Sequence, residues 1–228
     1  MNTEIFTGKA EVYAKARPGY PNAAIKYIRE LMPPDAVIAD IGAGTGKFTV
    51  SLARYGYNIF AVEPNADMRG ELIKTLTPFP NVKVVYGLAE ATKLPDHSVD
   101  IITCAQALHW FDLVAFRAEC QRIGKPDVLV IVVYNNTPGG SSIEYGKQST
   151  GVFFRNPVVR EFPNPMYYTR ESWLQYMTSH SHDPLPFEPG YGKHIAEVNA
   201  IFDSQNVDGL ICREVVTKVY SEKMEATL

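Results

Sequence analysis

Between residues 36 and 134, short apolar runs alternate with stretches whose apolar positions recur at helical spacing. "AVIADI" (36–41) reads as a buried strand, and "GKFTVSLARYG" (46–56) as a helix closed by Gly56. "NIFAVE" (58–63) is the next strand, followed by a helix over "NADMRGELIKTL" (65–76) with Asn65 as its N-cap. Strands "VKVVYG" (82–87) and "VDIITCA" (99–105), helix "DLVAFRAECQRI" (112–123) and strand "DVLVIVVY" (127–134) complete the series. Strands spaced by helices of this length predict right-handed crossovers and a parallel sheet. Their near-continuous Val/Ile content predicts helices on both faces.

A helix from about Asn22 to Leu31, stopped by Pro33-Pro34, precedes this unit. Beyond it the pattern loosens. Residues 135–165 are rich in Gly, Pro, Asn and Tyr, with one strand-like piece at 157–162. "RESWLQYMTSH" (170–180) and "KHIAEVNAIFDSQ" (193–205) read as helices, and "GLICREVVTKVYS" (209–221) as one strong final strand. No linker separates two domains, so a doubly wound α/β domain with a looser C-terminal layer is expected.

Composition narrows the partners. The 228 residues are 46% hydrophobic and 21% charged, with a net charge of −3. That argues against an extended phosphate backbone and so against nucleic acid. The longest apolar run, Val128 to Tyr134, is far short of the ~20 residues that span a bilayer, and the polar opening does not read as a signal peptide. A cytoplasmic protein without membrane attachment is the expectation. Cys104, Cys120 and Cys212 are odd in number and widely spaced, which fits reduced, mostly buried thiols. "SHSHDP" (179–184) alternates histidines with no third ligand in reach, so it reads as a solvated helix end and no metal is expected.

The chemistry centres on "DIGAGTGKF" (40–48). A triphosphate loop needs a glycine where Ile41 stands and a hydroxyl where Phe48 stands. A dinucleotide loop needs a third small residue where Lys47 stands, which weakens a nicotinamide reading. The remaining pattern is G-x-G-x-G after a strand ending in an acid. It suits a ligand without phosphate, because the glycines let the backbone approach closely. Glu63, at the next strand end, has two oxygens for a pair of ribose hydroxyls.

With these residues in hand, the chain resembles the class I S-adenosylmethionine-dependent methyltransferases, in particular the type 11 branch. "DIGAGTGKFT", "AVEPNADMR" and "GLAEATKLPDHSVDIITCAQALHWFD" carry the likeness in order; "YAKARPGYP" and "AQALHWFD" are similar to trans-aconitate methyltransferase-like enzymes. The resemblance implies a Rossmann-like seven-stranded sheet, mostly parallel with an antiparallel C-terminal strand. It divides one domain into a cap segment and helix (1–34), a cofactor-binding core (35–134), a substrate-covering layer (135–208) and a final strand and tail (209–228).

It also implies roles. Asp40 and the backbone of Gly42, Ala43, Gly44 and Gly46 hold the aminocarboxylate of S-adenosyl-L-methionine, and Glu63 holds its ribose. Pro64 starts the helix beside the ribose, Met68 packs on the adenine, and Leu88, Ala89 and Glu90 edge that ring. Leu88 stands where many relatives carry Asp or Asn, so the adenine amino group relies on backbone groups or Glu90. Gln106 lies near the methionine portion, Arg17 pairs with the cofactor carboxylate, and Tyr13 and Tyr20 shape the methyl channel. His109, beside Trp110 and Phe111, is the candidate base for a small-molecule acceptor such as a phenol; a carboxylate acceptor needs none. Phe153, Phe154, Tyr167, Tyr168 and Trp173, with Arg155, Arg160 and Arg170, lie in the layer expected to line the acceptor pocket. A non-catalytic S-adenosylmethionine-binding domain and a nicotinamide dehydrogenase are the alternatives, and a monomer or homodimer fits equally.

Overall fold

The computed structural model of the chain describes Ala10 and residues 18–137, 141–179 and 183–224. Helix α1 (Asn22–Glu30) leads into strand β1 (Val37–Ile41), helix α2 (Lys47–Ala53), β2 (Asn58–Val62), α3 (Ala66–Leu76), β3 (Val82–Val85), β4 (Val99–Ala105), α4 (Leu113–Ile123) and β5 (Gly124–Asn136). The caps are those the side chains allow. Asn65 accepts from the Met68 amide at the head of α3, and Asp112 accepts from Val114 and Ala115 at the head of α4.

These strands and β9 (Val216–Lys223) and β6 (Val158–Pro163) form one sheet in the order β3-β2-β1-β4-β5-β9-β6. The first five strands are mutually parallel, while β9 runs antiparallel to both β5 and β6. This is the doubly wound, Rossmann-like sheet that the alternation predicts. Side chains alternate along β5 between the two faces. Leu129, Ile131 and Val133 pack with Ile25 and Ile28 of α1 and Phe48 and Leu52 of α2. Val128, Val130, Val132 and Tyr134 pack with Phe116 and Ile123 of α4 and with Phe153. Helix α3 joins the α1–α2 side through Leu72 and Leu76 against Ala61.

The C-terminal half departs from expectation in three places. Residues 141–153 form a helix, α5 (Ser141–Phe153), despite Gly146 and Gly151. A Cβ at Gly146 would sit 3.5 Å from the Tyr134 ring, so the helix rests directly on β5 there, and packing overrides a weak intrinsic propensity. The run read as one final strand is two: β8 (Ile211–Arg213) pairs with β7 (Met166–Tyr168) in a separate two-stranded sheet, and only β9 enters the main one. Strand β5 is also longer than the apolar run suggested, beginning at Gly124. Helices α6 (Arg170–Met177) and α7 (Tyr191–Gln205) cover the small sheet around Tyr168, Trp173, Val198, Phe202 and Ile211. No helix among the described residues is long and apolar enough to cross a membrane.

Candidate active site at the carboxyl edge of the sheet

β1, β2, β4 and β5 end on one edge, at Ile41, Val62, Ala105 and Asn136. Ligands of open α/β sheets bind outside this edge. The turn after β1 takes left-handed backbone at Gly42, Gly44 and Gly46, with φ of +69°, +58° and +88°. A Cβ at Gly42 would lie 2.7 Å from Ala107 Cβ and 3.1 Å from Phe111 Cζ, and one at Gly46 2.8 Å from Leu72 Cδ1. At Gly44 it would meet nothing within 4 Å. The loop is thus closed behind at both ends and open in the middle, where its backbone faces whatever binds.

Glu63 fixes that open middle. Its Oε2 accepts from the Gly44 amide at 2.8 Å and its Oε1 from the Asn65 amide at 2.9 Å. The Gly42 and Ala43 amides donate to the Val62 carbonyl, both at 3.0 Å. Glu63 is buried, and burial raises its carboxyl above the ordinary range against the pull of those two amides. Asp40 lies beneath the loop, 1% exposed, with Oδ2 accepting from Thr49 Oγ1 at 2.6 Å and Oδ1 from Thr103 Oγ1 at 2.8 Å. Burial lifts it to about 6, the two hydroxyls working the other way. The Asp40 charge pushes Glu63 up further, while Arg69, whose Nη1 donates to the Glu63 and Pro64 carbonyls, pulls it down. The edge therefore holds two buried carboxylates whose ionisation the fold disfavours.

Other expected residues are placed unevenly. Met68, in the first turn of α3, is buried, 3% exposed. Ala89 belongs to the core, Leu88 is exposed, and Glu90 Oε1 accepts from the Asp112 amide at 2.8 Å. Gln106 sits at φ +59°, a costly conformation for a side-chain-bearing residue, held by its amide on the Val133 carbonyl at 2.9 Å. Its Nε2 donates to the Asn135 carbonyl at 3.4 Å. Tyr20 packs edge-on against Phe48 in the first turn of α2, ring centroids 5.0 Å apart. Just before it, the Gly19 carbonyl accepts from Asn135 Nδ2 at 3.0 Å and Asn164 Nδ2 at 3.1 Å. Asn135 is itself held by Thr217, whose Oγ1 donates to its Oδ1 at 2.6 Å. Tyr13, Arg17, His180 and His182 lie outside the described residues.

After β4, a 3₁₀ turn (Leu108–Trp110) carries His109 and Trp110, with their rings tilted and 4.7 Å apart. His109 Nδ1 is 3.3 Å from the Tyr134 hydroxyl, which is 3.2 Å from Ser149 Oγ; Ser149 Oγ donates to the Gly146 carbonyl at 3.3 Å. Tyr134 and Ser149 are functional candidates that sequence reasoning did not single out. Tyr134 closed an apolar run, and Ser149 lay in a segment not read as helix. Asn136, two residues beyond Tyr134 on the same face, is 5% exposed, and its Oδ1 has no hydrogen-bond partner among the described residues. "VVYNN" at a strand end was the signal available for Tyr134 and Asn136.

The aromatics and arginines expected to line the acceptor pocket do not converge. Phe153 stacks on Phe116 and packs against Phe154 inside the core. Tyr168 and Trp173 form the small core, with Trp173 Nε1 donating to the Val198 carbonyl at 3.1 Å, while Tyr167 is exposed. Arg170 pairs with Asp203, and the Arg155 amide meets Glu222, at the far edge of the sheet. The physical reason is volume: the core on the α4 face of the main sheet and the small core both need large side chains, and these segments supply them. Among the described residues, no group of three or more His, Cys, Asp or Glu is placed to hold a metal ion.

Residues 39–132 match the methyltransferase domain family. The match begins one residue before Asp40 and covers the glycine loop, Glu63 and His109. An uncharacterized methyltransferase-like protein of Schizosaccharomyces pombe is 37% identical over 137 residues, 58% of this chain and 52% of its own length. An uncharacterized methyltransferase of Mycobacterium tuberculosis is 36% identical over 131 residues, 57% and 51% respectively. The chain thus spans about half the length of the curated relatives it matches. A putative type II methyltransferase from Anaeromyxobacter dehalogenans superposes with a TM-score of 0.67 at 20% identity, covering 92% of this chain and 99% of that one. A SAM-dependent methyltransferase from Aquifex aeolicus gives 0.53 at 18%, covering 67% and 89%. These structures share the fold.

Proposed function

We propose that the chain is an S-adenosylmethionine-dependent methyltransferase acting on a small molecule, a phenol or carboxylate oxygen, in a cytoplasmic setting. One observation carries the reading: an open glycine turn tied to Glu63, above a second buried carboxylate, Asp40. Two carboxylates there repel a pyrophosphate and favour a ligand bearing positive charge. S-adenosylmethionine meets that demand through its ammonium and sulfonium groups, so the residues fit the cofactor. When bound, it supplies a methyl group activated for in-line displacement. Most of the acceleration then comes from alignment, which contributes ~7–11 kcal/mol in well-oriented systems.

The chain's own groups divide the work. The Gly42–Gly46 backbone takes the aminocarboxylate, and Glu63 takes the ribose with the lone pairs its two amides leave over. Asp40 acts from below, holding α2 and β4 together through Thr49 and Thr103. Leu88 and Glu90 border the adenine. Gln106 and Tyr20 flank the methionine end, and His109 with Trp110 stands where an acceptor would arrive. The Ala105–Asp112 stretch supports the narrower likeness to trans-aconitate methyltransferase-like enzymes.

Calorimetric titration tests the assignment. S-adenosylhomocysteine and S-adenosylmethionine are expected to bind in the micromolar range, and NADH not at all. The reverse order would overturn the reading in favour of a dehydrogenase. Binding without turnover across an acceptor screen would favour a domain that holds the cofactor without catalysis.

A further inference from the structure

Arg69, the fourth residue of α3, reaches back past the head of its own helix to the end of β2. Its Nη1 donates to the main-chain carbonyl of Glu63 at 3.2 Å and to that of Pro64 at 2.9 Å. The guanidinium carbon lies 4.8 Å from the centre of the Tyr86 ring, and Lys93 Nζ lies 4.2 Å from the same centre. Tyr86 directly follows β3, the strand that pairs with β2. One side chain thus ties α3 to the backbone that carries Glu63, and a ring from the neighbouring strand supports it.

A guanidinium paired directly with a carboxylate commonly takes both oxygens in a fork. Arg69 instead spends Nη1 on carbonyls, while each Glu63 oxygen accepts from one amide, of Gly44 or of Asn65. Each oxygen therefore keeps a lone pair for an incoming hydroxyl. The positive charge still acts. Burial and the Asp40 charge disfavour ionised Glu63, whereas the two amides and Arg69 favour it. Arg69 is the cation in that balance, and a protonated Glu63 would turn one accepting oxygen into a donor. We propose that Arg69 is a positioning residue for the cofactor: it fixes the Glu63–Pro64 turn and supplies the charge that lets Glu63 meet the ribose as a carboxylate. The proposal rests on the methyltransferase reading for the identity of that ligand.

Two variants separate charge from contact. Arg69→Gln keeps a donor for the carbonyls and loses the charge; Arg69→Lys keeps the charge and loses the planar fork. Carboxyl-detected NMR of ¹³C-glutamate-labelled protein reads Glu63 without any ligand, its signal assigned by Glu63→Gln. The Glu63 midpoint should lie higher in Arg69→Gln than in the wild type and stay at the wild-type position in Arg69→Lys. Adding Asp40→Asn to Arg69→Gln should bring it back down, because the opposing charge is then gone. Calorimetric titration of S-adenosylhomocysteine from about pH 5.5 to 8.5 should show at least a tenfold deficit for Arg69→Gln at the acid end, shrinking as pH rises. Arg69→Lys should show a deficit that does not change with pH. An unmoved Glu63 midpoint in Arg69→Gln, or a deficit there that is equal at every pH, would overturn the proposal by leaving Arg69 a purely structural role. Failure of the wild type to bind S-adenosylhomocysteine would instead overturn the methyltransferase reading and leave the Glu63 titration standing.

Discussion

Asp40→Asn isolates the electrostatic cost of the site. Burial lifts the Asp40 carboxyl from its ordinary 3.8 to about 6. The folded state thus binds a proton more tightly than the unfolded chain, so this contribution is fully present below 3.8 and is lost as pH rises through about 6. At ~1.4 kcal/mol per pH unit across that window, the ionised wild type gives up about 3 kcal/mol at neutral pH. Asparagine resembles the protonated carboxyl: one oxygen accepts, one group donates, and either Thr49 or Thr103 turns its hydroxyl to receive. We predict that the variant matches the wild type near pH 4 and exceeds it by about 3 kcal/mol at pH 7, a gain of about 6–12 °C in Tm for a chain of this size. Urea unfolding of both proteins at half-unit steps from pH 4 to 7.5 gives the difference curve. A flat difference, or a variant less stable than wild type at pH 7, would refute the reasoning.

Four further predictions concern the same edge. Gly44→Ala should cost only ~1–2 kcal/mol of stability, the strain of a left-handed alanine, yet weaken S-adenosylhomocysteine binding at least tenfold in calorimetry, because its methyl enters the ligand side. Gly42→Ala should instead lower Tm more than Gly44→Ala does, since its methyl meets Ala107 at 2.7 Å; equal Tm losses would contradict the two-sided picture of the loop. Glu63→Gln keeps one of two amide contacts and should weaken S-adenosylhomocysteine tenfold or more; unchanged affinity removes Glu63 from the ribose role. Asn136→Leu deletes a buried oxygen without a partner, so the ligand-free protein should melt about 3 °C higher by calorimetric scan. A lower Tm would mean that the amide supports the fold.

The alternating half of the chain was legible because its signals are local. Val/Ile runs gave β1 to β5, Asn65 announced its helix, and the closely spaced glycines announced the turn. What stayed hidden depends on partners distant in sequence. Helix α5 contains two glycines and owes its place to the Tyr134 ring, so no window of its own residues reveals it. The break between β8 and β9 follows from two different sheets claiming the halves of one apolar run. Asp40, Glu63 and His109 were visible as candidates, but only tertiary structure gave Asp40 its threonines and Glu63 its amides. Tyr134 lies 25 residues from His109 and 15 from Ser149, separations that carry no periodic signal.

The grip on the Gly19 carbonyl has a consequence for how the protein is made. Its two donors come 116 and 145 residues later, and Thr217, which steadies Asn135, comes later still. During vectorial synthesis, β1 to β4 and the glycine turn emerge before either donor; Asn135 arrives with the end of β5, and Asn164 and Thr217 follow. A nascent chain halted between β5 and Asn164 would therefore carry a nearly assembled cofactor edge with its flanking segment held by Asn135 alone, before Thr217 steadies that side chain. Refolding from denaturant has no such order imposed on it. Ligand present during translation thus meets a different sequence of partly formed sites from ligand present during refolding.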